Sequence, residues 1–183
     1  MQQLSIHDFK SNKINAWSGA TIDFRTPENS EFTLEDIATG LSHECRYAGQ
    51  LDKFYSVAQH CLLVMALAPR ELRVHALMHD ASEAYMKDIP KPLKVMLPEY
   101  ERIEEQMQQA IMDQFEISVL NAEYIHFYDQ EALEIEINAF RNNRPGRFNE
   151  IMRSMNYLPG RWTPEMAKNN WLYHAKLYIK SNL

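Results

Sequence analysis

Apolar positions along most of the chain recur every three to four residues, which is helical rather than strand-like spacing. Residues 55–68 carry an almost unbroken apolar run, with Val57, Ala58, Cys61, Leu62, Val64 and Met65, and predict a buried helix that Pro69 ends. Periodicity resumes over 70–85 with Leu72, Ala76, Leu77 and Ala81, and Ile89-Pro90-Lys91-Pro92 is a hard break. Residues 99–115 place Ile103, Met107, Ile111 and Phe115 on one stripe between Glu and Gln. Residues 121–140 predict another long helix, stopped by Asn142-Asn143-Arg144-Pro145-Gly146. Thr163-Pro164-Glu165 opens a last helix that runs to about residue 179. At the other end, Thr33-Leu34-Glu35-Asp36 reads as a capping box starting a helix over 33–45. Residues 1–32 are polar and broken, an arm in which 21–24 predict a short hairpin or extended piece. The expected fold is all-α: a bundle of about six or more helices behind an irregular or hairpin arm, within one domain spanning 1–183.

The chain of 183 residues is 45% hydrophobic and 24% charged, the balance of a globular domain. No apolar run approaches the ~18 residues a membrane span needs, and the first residues lack a secretory signal, so a cytoplasmic location is expected. Cys45 and Cys61 show no pairing pattern and are read as reduced. The formal net charge is −6 and no dense basic run occurs, which argues against a grip on long nucleic acid. The common glycine-rich phosphate loops are absent, so an anionic substrate would need locally placed cations or a metal.

Chemistry concentrates in His79-Asp80-Ala81-Ser82-Glu83. An adjacent imidazole and carboxylate inside an apolar helical stretch must find partners, because unpaired burial of either is unfavourable by several kcal/mol or more. His60 and Asp129 are likewise polar residues within apolar stretches. His60, His79, Asp80 and Asp129, drawn from three helices, would form an N2O2 set suited to one divalent transition ion such as Mn²⁺, Fe²⁺, Co²⁺, Ni²⁺ or Zn²⁺, with Mg²⁺ as a further option. His75 and His174 read as structural or surface residues, His7 and His43 as outside the site, and His126 as a candidate donor to Asp129 one turn on. Trp17 is either core or a lid.

The His79-Asp80 pair, with His60 upstream and Asp129 downstream, resembles the HD-domain metal-dependent phosphohydrolases. The stretch from His79 through Glu83 to Asp88-Ile89-Pro90-Lys91-Pro92-Leu93-Lys94 is similar to that of bacterial 5′-deoxynucleotidases and related phage deoxynucleoside triphosphate triphosphohydrolases. Arg46-Tyr47 ahead of Tyr55-Ser56-Val57-Ala58-Gln59-His60 resembles their nucleotide-pocket segment. The likeness covers about 33–140. This chain has Gln59 where those enzymes often have Glu, and Tyr47 where Trp is common. The di-iron oxygenase branch of the same fold needs more histidines between the pair and the last Asp than the single His126, so one metal ion is expected.

The resemblance implies a phosphohydrolase acting on a small nucleotide, first a deoxynucleoside 5′-monophosphate and alternatively a triphosphate such as dATP. Glu83 and Asp88 would carry the proton work, and Arg46, Tyr47 and Lys94 would contact the substrate. A non-catalytic helical interaction domain is the third reading. Met107, Ile111 and Met112 on the 99–115 helix are a candidate face for a second copy.

Overall fold

The computed structural model describes residues 12–118 and 121–180, and the chain is predominantly helical. An antiparallel hairpin of β1 (Lys13–Asn15) and β2 (Thr21–Asp23), with Ile14 opposite Ile22, forms the arm. Then come α1 (Leu34–His43), α2 (Val57–Leu67), α3 (Arg73–Met78), α4 (Glu83–Met86), α5 (Lys91–Lys94), α6 (Pro98–Gln114), α7 (Ala122–Phe140), α8 (Gly146–Ser154) and α9 (Pro164–Lys180).

Every side chain of α2 from Val57 to Met65 is buried, so this helix has no solvent face. It is the central element, packed by α1, α3, α7, α8 and α9. The α9 helix closes the bundle with Ala167, Trp171 and Ala175 at successive turns, and the Trp171 indole N–H donates to the Leu77 carbonyl at 3.2 Å. Met107, Ile111 and Met112 of α6 are buried in the chain's own core rather than presented to a second copy. No helix among the described residues is long and apolar enough to cross a membrane.

The arm is held by specific polar contacts. Thr33 caps α1, its hydroxyl oxygen accepting from the Asp36 N–H at 3.0 Å. Asp36 is buried and accepts from the Ser18 N–H at 2.8 Å and the Ser18 hydroxyl at 2.7 Å. Ile22 plugs the arm into the core. Trp17 lies on the surface with the Lys168 ammonium 4.6 Å from its ring centre, so it is neither core nor lid.

Two expectations need correction. Residues 70–85 are not one helix: α3 ends at Met78, a tight turn follows, and α4 starts at Glu83. The Gln108 side chain of α6 occupies the break, accepting from the Ser82 N–H and donating to the Met78 carbonyl. It thereby satisfies backbone groups that an uninterrupted helix would pair. Second, α5 and α8 were not expected. Pro92 fits the first turn of α5, where its missing N–H has no intrahelical acceptor to lose.

Gly40 of α1 lets α4 approach closely. A Cβ there would stand 2.3 Å from the Ala84 carbonyl oxygen and 2.7 Å from its Cα, both backbone atoms that cannot rotate away. Gly40→Ala is therefore expected to destabilise by about 1–3 kcal/mol through overpacking, despite alanine's better helix propensity. Calorimetric melting should show a drop of about 2–4 °C per kcal/mol in a chain of this size. An unchanged melting temperature would mean that α4 is not held tightly against α1.

Candidate metal centre

Three elements converge. Ser56 caps α2 by accepting from the Gln59 N–H, and His60 follows in the first turns. His79 and Asp80 occupy the turn between α3 and α4, and Asp129 projects from α7. His60 Nε2 lies 3.1 Å from Asp129 Oδ1 and 3.7 Å from Asp80 Oδ2. His79 Nε2 lies 3.2 Å from Asp80 Oδ2 and 4.0 Å from Asp129 Oδ1. Two nitrogens and two carboxylate oxygens thus surround one point. The two buried Nε2 atoms have no hydrogen-bond partner among the described residues. His60, His79 and Asp129 bring ligand atoms close enough together to hold a divalent cation, with Asp80 beside His79.

Each imidazole is locked so that Nε2 faces this point. His79 Nδ1 is 2.8 Å from the Ala76 carbonyl, to which it donates. His60 Nδ1 is 2.7 Å from Glu136 Oε1. Glu136 is wholly buried and also accepts from the Tyr47 hydroxyl at 2.8 Å and the Tyr55 hydroxyl at 2.9 Å, with Arg46 Nε 3.3 Å away. Sequence reasoning missed Glu136 and Gln108. The available signal for Glu136 was its spacing: it follows Asp129 by seven residues, two turns along one face of α7.

The charged groups around this point shift one another strongly. Burial pushes the carboxyls of Asp129 and Glu136 up, but the cationic groups beside them (His60 at Asp129, Arg46 and His60 at Glu136) pull both down to about 2. Asp80 is likewise held well below the usual range against burial, by His79, His60 and Arg46. Burial and Arg46 oppose charging of His60, yet Glu136 and Asp129 raise it. Burial opposes charging of His79, and Asp80 raises it well above its ordinary value. The neighbouring carboxylates thus favour positive charge on both imidazoles, the charge that a bound metal would otherwise supply. Cys61 also lies near His79 and Asp80, but burial pushes its thiol up to about 11, so it adds no anion at neutral pH.

The linkage signs give a stability profile for the metal-free chain. Lowered carboxylates contribute stability that is full above their unfolded values and lost as pH falls toward about 2, on the order of 2 kcal/mol each. Raised imidazoles contribute stability that is full below ~6.5 and lost as pH climbs through their folded values. Melting temperature in EDTA should therefore fall both as pH drops below ~4 and as it climbs above ~6.5. A plateau extending to pH 9 would contradict the paired-imidazole arrangement.

A cavity of about 510 Å³ opens onto Asp80 and Asp129, and Arg46, Tyr47, Glu83, Asp88 and Lys94 share its walls. Arg46 is placed by an isolated bridge between Cys45 and Ser56, its N–H donating to the Tyr55 carbonyl. Its guanidinium points inward, 3.9 Å from Asp80, and does not cap α1. Tyr47 (φ 57°) and Ala48 (φ 49°) adopt left-handed backbone in this turn, a conformation unfavourable by about 1 kcal/mol or more that the Tyr47–Glu136 bond helps hold. The guanidinium carbons of Arg46 and Arg141 each stand 5.5 Å from the Tyr47 ring centre. Lys94 is committed to Glu104 at 2.7 Å rather than left open to solvent. Glu83 is buried with one carboxylate oxygen unpartnered among the described residues. Burial, then the charges of Asp80 and Asp88, push its carboxyl well above its usual range. Burial raises Asp88 too, against the pull of Arg46.

The remaining expectations sort as follows. His126 is exposed and lines the cavity, and among the described residues it makes no hydrogen bond to Asp129. His75 pairs with Asn121, His174 contacts Tyr157, and His43 bonds the Thr39 carbonyl. His7 lies outside the described residues. Gln59 turns away from the centre: its amide donates to the Gly160 carbonyl and accepts from the Trp162 N–H, a double role that glutamate could not fill.

No protein-family model matches the chain. It is 40% identical over 123 residues to the uncharacterized protein YfdR of Escherichia coli K12, covering 67% of this chain and 69% of YfdR. It is 38% identical over 89 residues to an uncharacterized protein of Rhodobacter capsulatus, covering 44% of this chain and less than half, 45%, of that one. With that identity across two thirds of both chains, this protein belongs to the family of YfdR.

Proposed function

We propose that this protein is an HD-type metal-dependent nucleotide phosphohydrolase, and that it removes phosphate from deoxynucleoside 5′-monophosphates. The observation that carries the reading is the convergence of His60, His79, Asp80 and Asp129 beside a cavity that the buried carboxyl of Glu83 also lines. Those four residues would hold a divalent ion, which would supply Lewis-acid polarisation of a phosphoryl oxygen and a more acidic water. Glu83, its carboxyl pushed toward the neutral form by burial and by the charges of Asp80 and Asp88, donates a proton to the leaving sugar oxygen. Asp88 shares that proton relay from the same wall. Arg46 offers donors to a phosphate oxygen, its other face fixed by Glu136.

The cavity favours a monophosphate. Acidic side chains outnumber Arg46, Lys91 and Lys94 on its walls, and Lys94 is already neutralised by Glu104. The additional charges of a triphosphate would meet carboxylates such as Glu101 and Glu105. Incubating the Co²⁺-loaded protein with dAMP and with dATP decides between them: inorganic phosphate from dAMP is expected. Triphosphate from dATP would select the alternative substrate. A metal-loaded protein inert to both would favour the interaction domain.

Arg46→Ala should lower kcat/KM for dAMP by about 10–100-fold, the worth of a charged hydrogen bond, and should also lower the melting temperature by stranding Glu136 and Asp80. Arg46→Lys should restore more of the stability than of the kcat/KM, since lysine keeps the charge but not the planar fork. Kinetics and melting on the same samples separate the two effects. A folded Arg46→Ala protein with unchanged kcat/KM would remove Arg46 from the substrate.

A further inference from the structure

Glu136 is a fully buried carboxylate that touches neither the metal point nor the cavity, yet four separate groups converge on it. Oε1 takes His60 Nδ1 and the Tyr55 hydroxyl, and Oε2 takes the Tyr47 hydroxyl with Arg46 Nε nearby. Two of these partners, Arg46 and Tyr47, belong to the strained turn that walls the cavity. A third, His60, belongs to the metal point. A core glutamate with a purely structural duty would need only enough donors to satisfy it. This one instead spans two functional regions with one rigid planar group.

We infer that Glu136 is a positioning residue that fastens the cavity turn at Arg46–Tyr47 to the first metal histidine, so that the set of the turn tunes metal affinity. The inference rests on the reading that His60, His79, Asp80 and Asp129 hold a metal. Its physical content is that the carboxylate keeps the His60 proton on Nδ1, turns Nε2 toward the metal and raises that nitrogen's basicity. The two tyrosine hydroxyls fix the carboxylate plane. A change at Tyr47 then reaches the metal through one hydrogen bond.

The test titrates Co²⁺ into the wild-type chain, Glu136→Gln and Tyr47→Phe, in competition with a chelating dye, and records the Co²⁺ absorption spectrum. Wild type should bind one Co²⁺. Glu136→Gln, similar in volume but uncharged, should bind about 10–100-fold more weakly, the range for lost outer-shell partners of a metal ligand. Tyr47→Phe should weaken binding by a smaller factor, with an altered spectrum, although its side chain touches no ligand. Wild type that binds no Co²⁺ would overturn the metal reading itself. Wild type that binds while Glu136→Gln binds equally well would overturn the inference and leave the metal reading standing. An effect in Glu136→Gln with none in Tyr47→Phe would overturn the link to the turn. Should Glu136→Gln fail to fold, Tyr47→Phe alone decides the link, since its ring is only partly buried and its hydroxyl deletion leaves no cavity of consequence.

Discussion

Replacing Glu83 by glutamine should lower dAMP hydrolysis by about 10²–10⁴-fold, the usual contribution of a positioned acid or base, with metal binding retained. The expectation follows from where the side chain sits. Glu83 opens α4 directly after the turn that carries His79 and Asp80, is 8% exposed and keeps one oxygen unpartnered among the described residues. Burial first, then the charges of Asp80 and Asp88, push its carboxyl toward the protonated form. A carboxyl pushed toward its neutral form at the wall of the proposed substrate cavity is placed to donate a proton. Glutamine keeps the shape and an N–H but has no proton to give, whereas Glu83→Ala also empties the wall. The pH profile adds a second reading. A required acid fails as pH rises through its folded pKa, so wild type should lose kcat on the alkaline side, and the glutamine variant should lack that limb. Near-normal turnover with metal bound would reduce Glu83 to a buried carboxyl of the α4 start. Loss of the metal itself would show that Glu83 supports the ligands and not the proton transfer.

Much of this arrangement is legible in the chain, for identifiable reasons. The long helices follow their apolar period, and α2 is apolar on every side because nothing around it is solvent. His60, His79, Asp80 and Asp129 stand out because a buried polar group in an apolar run needs partners. The break at residues 79–82 is invisible because Ala76, Leu77, Met78 and Ala81 are all buried and keep a helical pattern through it. The break is imposed by Gln108, twenty-six residues from Ser82, and no local rule reports such a contact. The α8 helix hides behind Asn142-Asn143-Arg144-Pro145, with only Phe148 and Met152 as its buried pair. Glu136 lies in Glu134-Ile135-Glu136-Ile137, an alternation that reads as a solvated face. Lys94 shows its charge in the sequence but not Glu104, which neutralises it across the α5–α6 corner.

If the proposed site binds metal, removing one of its proposed ligands should abolish the stabilisation that the metal gives. Asp129 suits this test because its side chain is partly exposed, so Asp129→Ala leaves a small, solvent-filled space and not a core void. At a Co²⁺ concentration one hundred times the dissociation constant, binding to the folded state alone adds about 2.7 kcal/mol. For a chain of this size that corresponds to a rise of roughly 5–10 °C in the melting temperature. Asp129→Ala keeps both histidines and Asp80 but loses one of two anionic donors, and it leaves His60 Nε2 without the oxygen 3.1 Å away. At the same Co²⁺ concentration its shift should vanish, and with it all phosphate release from dAMP. The metal-free variant should also melt lower than metal-free wild type at pH 5–6, since the raised His60 has lost one of the carboxylates that favour its charged form. A variant whose Co²⁺ shift matches wild type would place the ion elsewhere, and the convergence of the four residues would then be a buried ion-pair network with no cation at its centre.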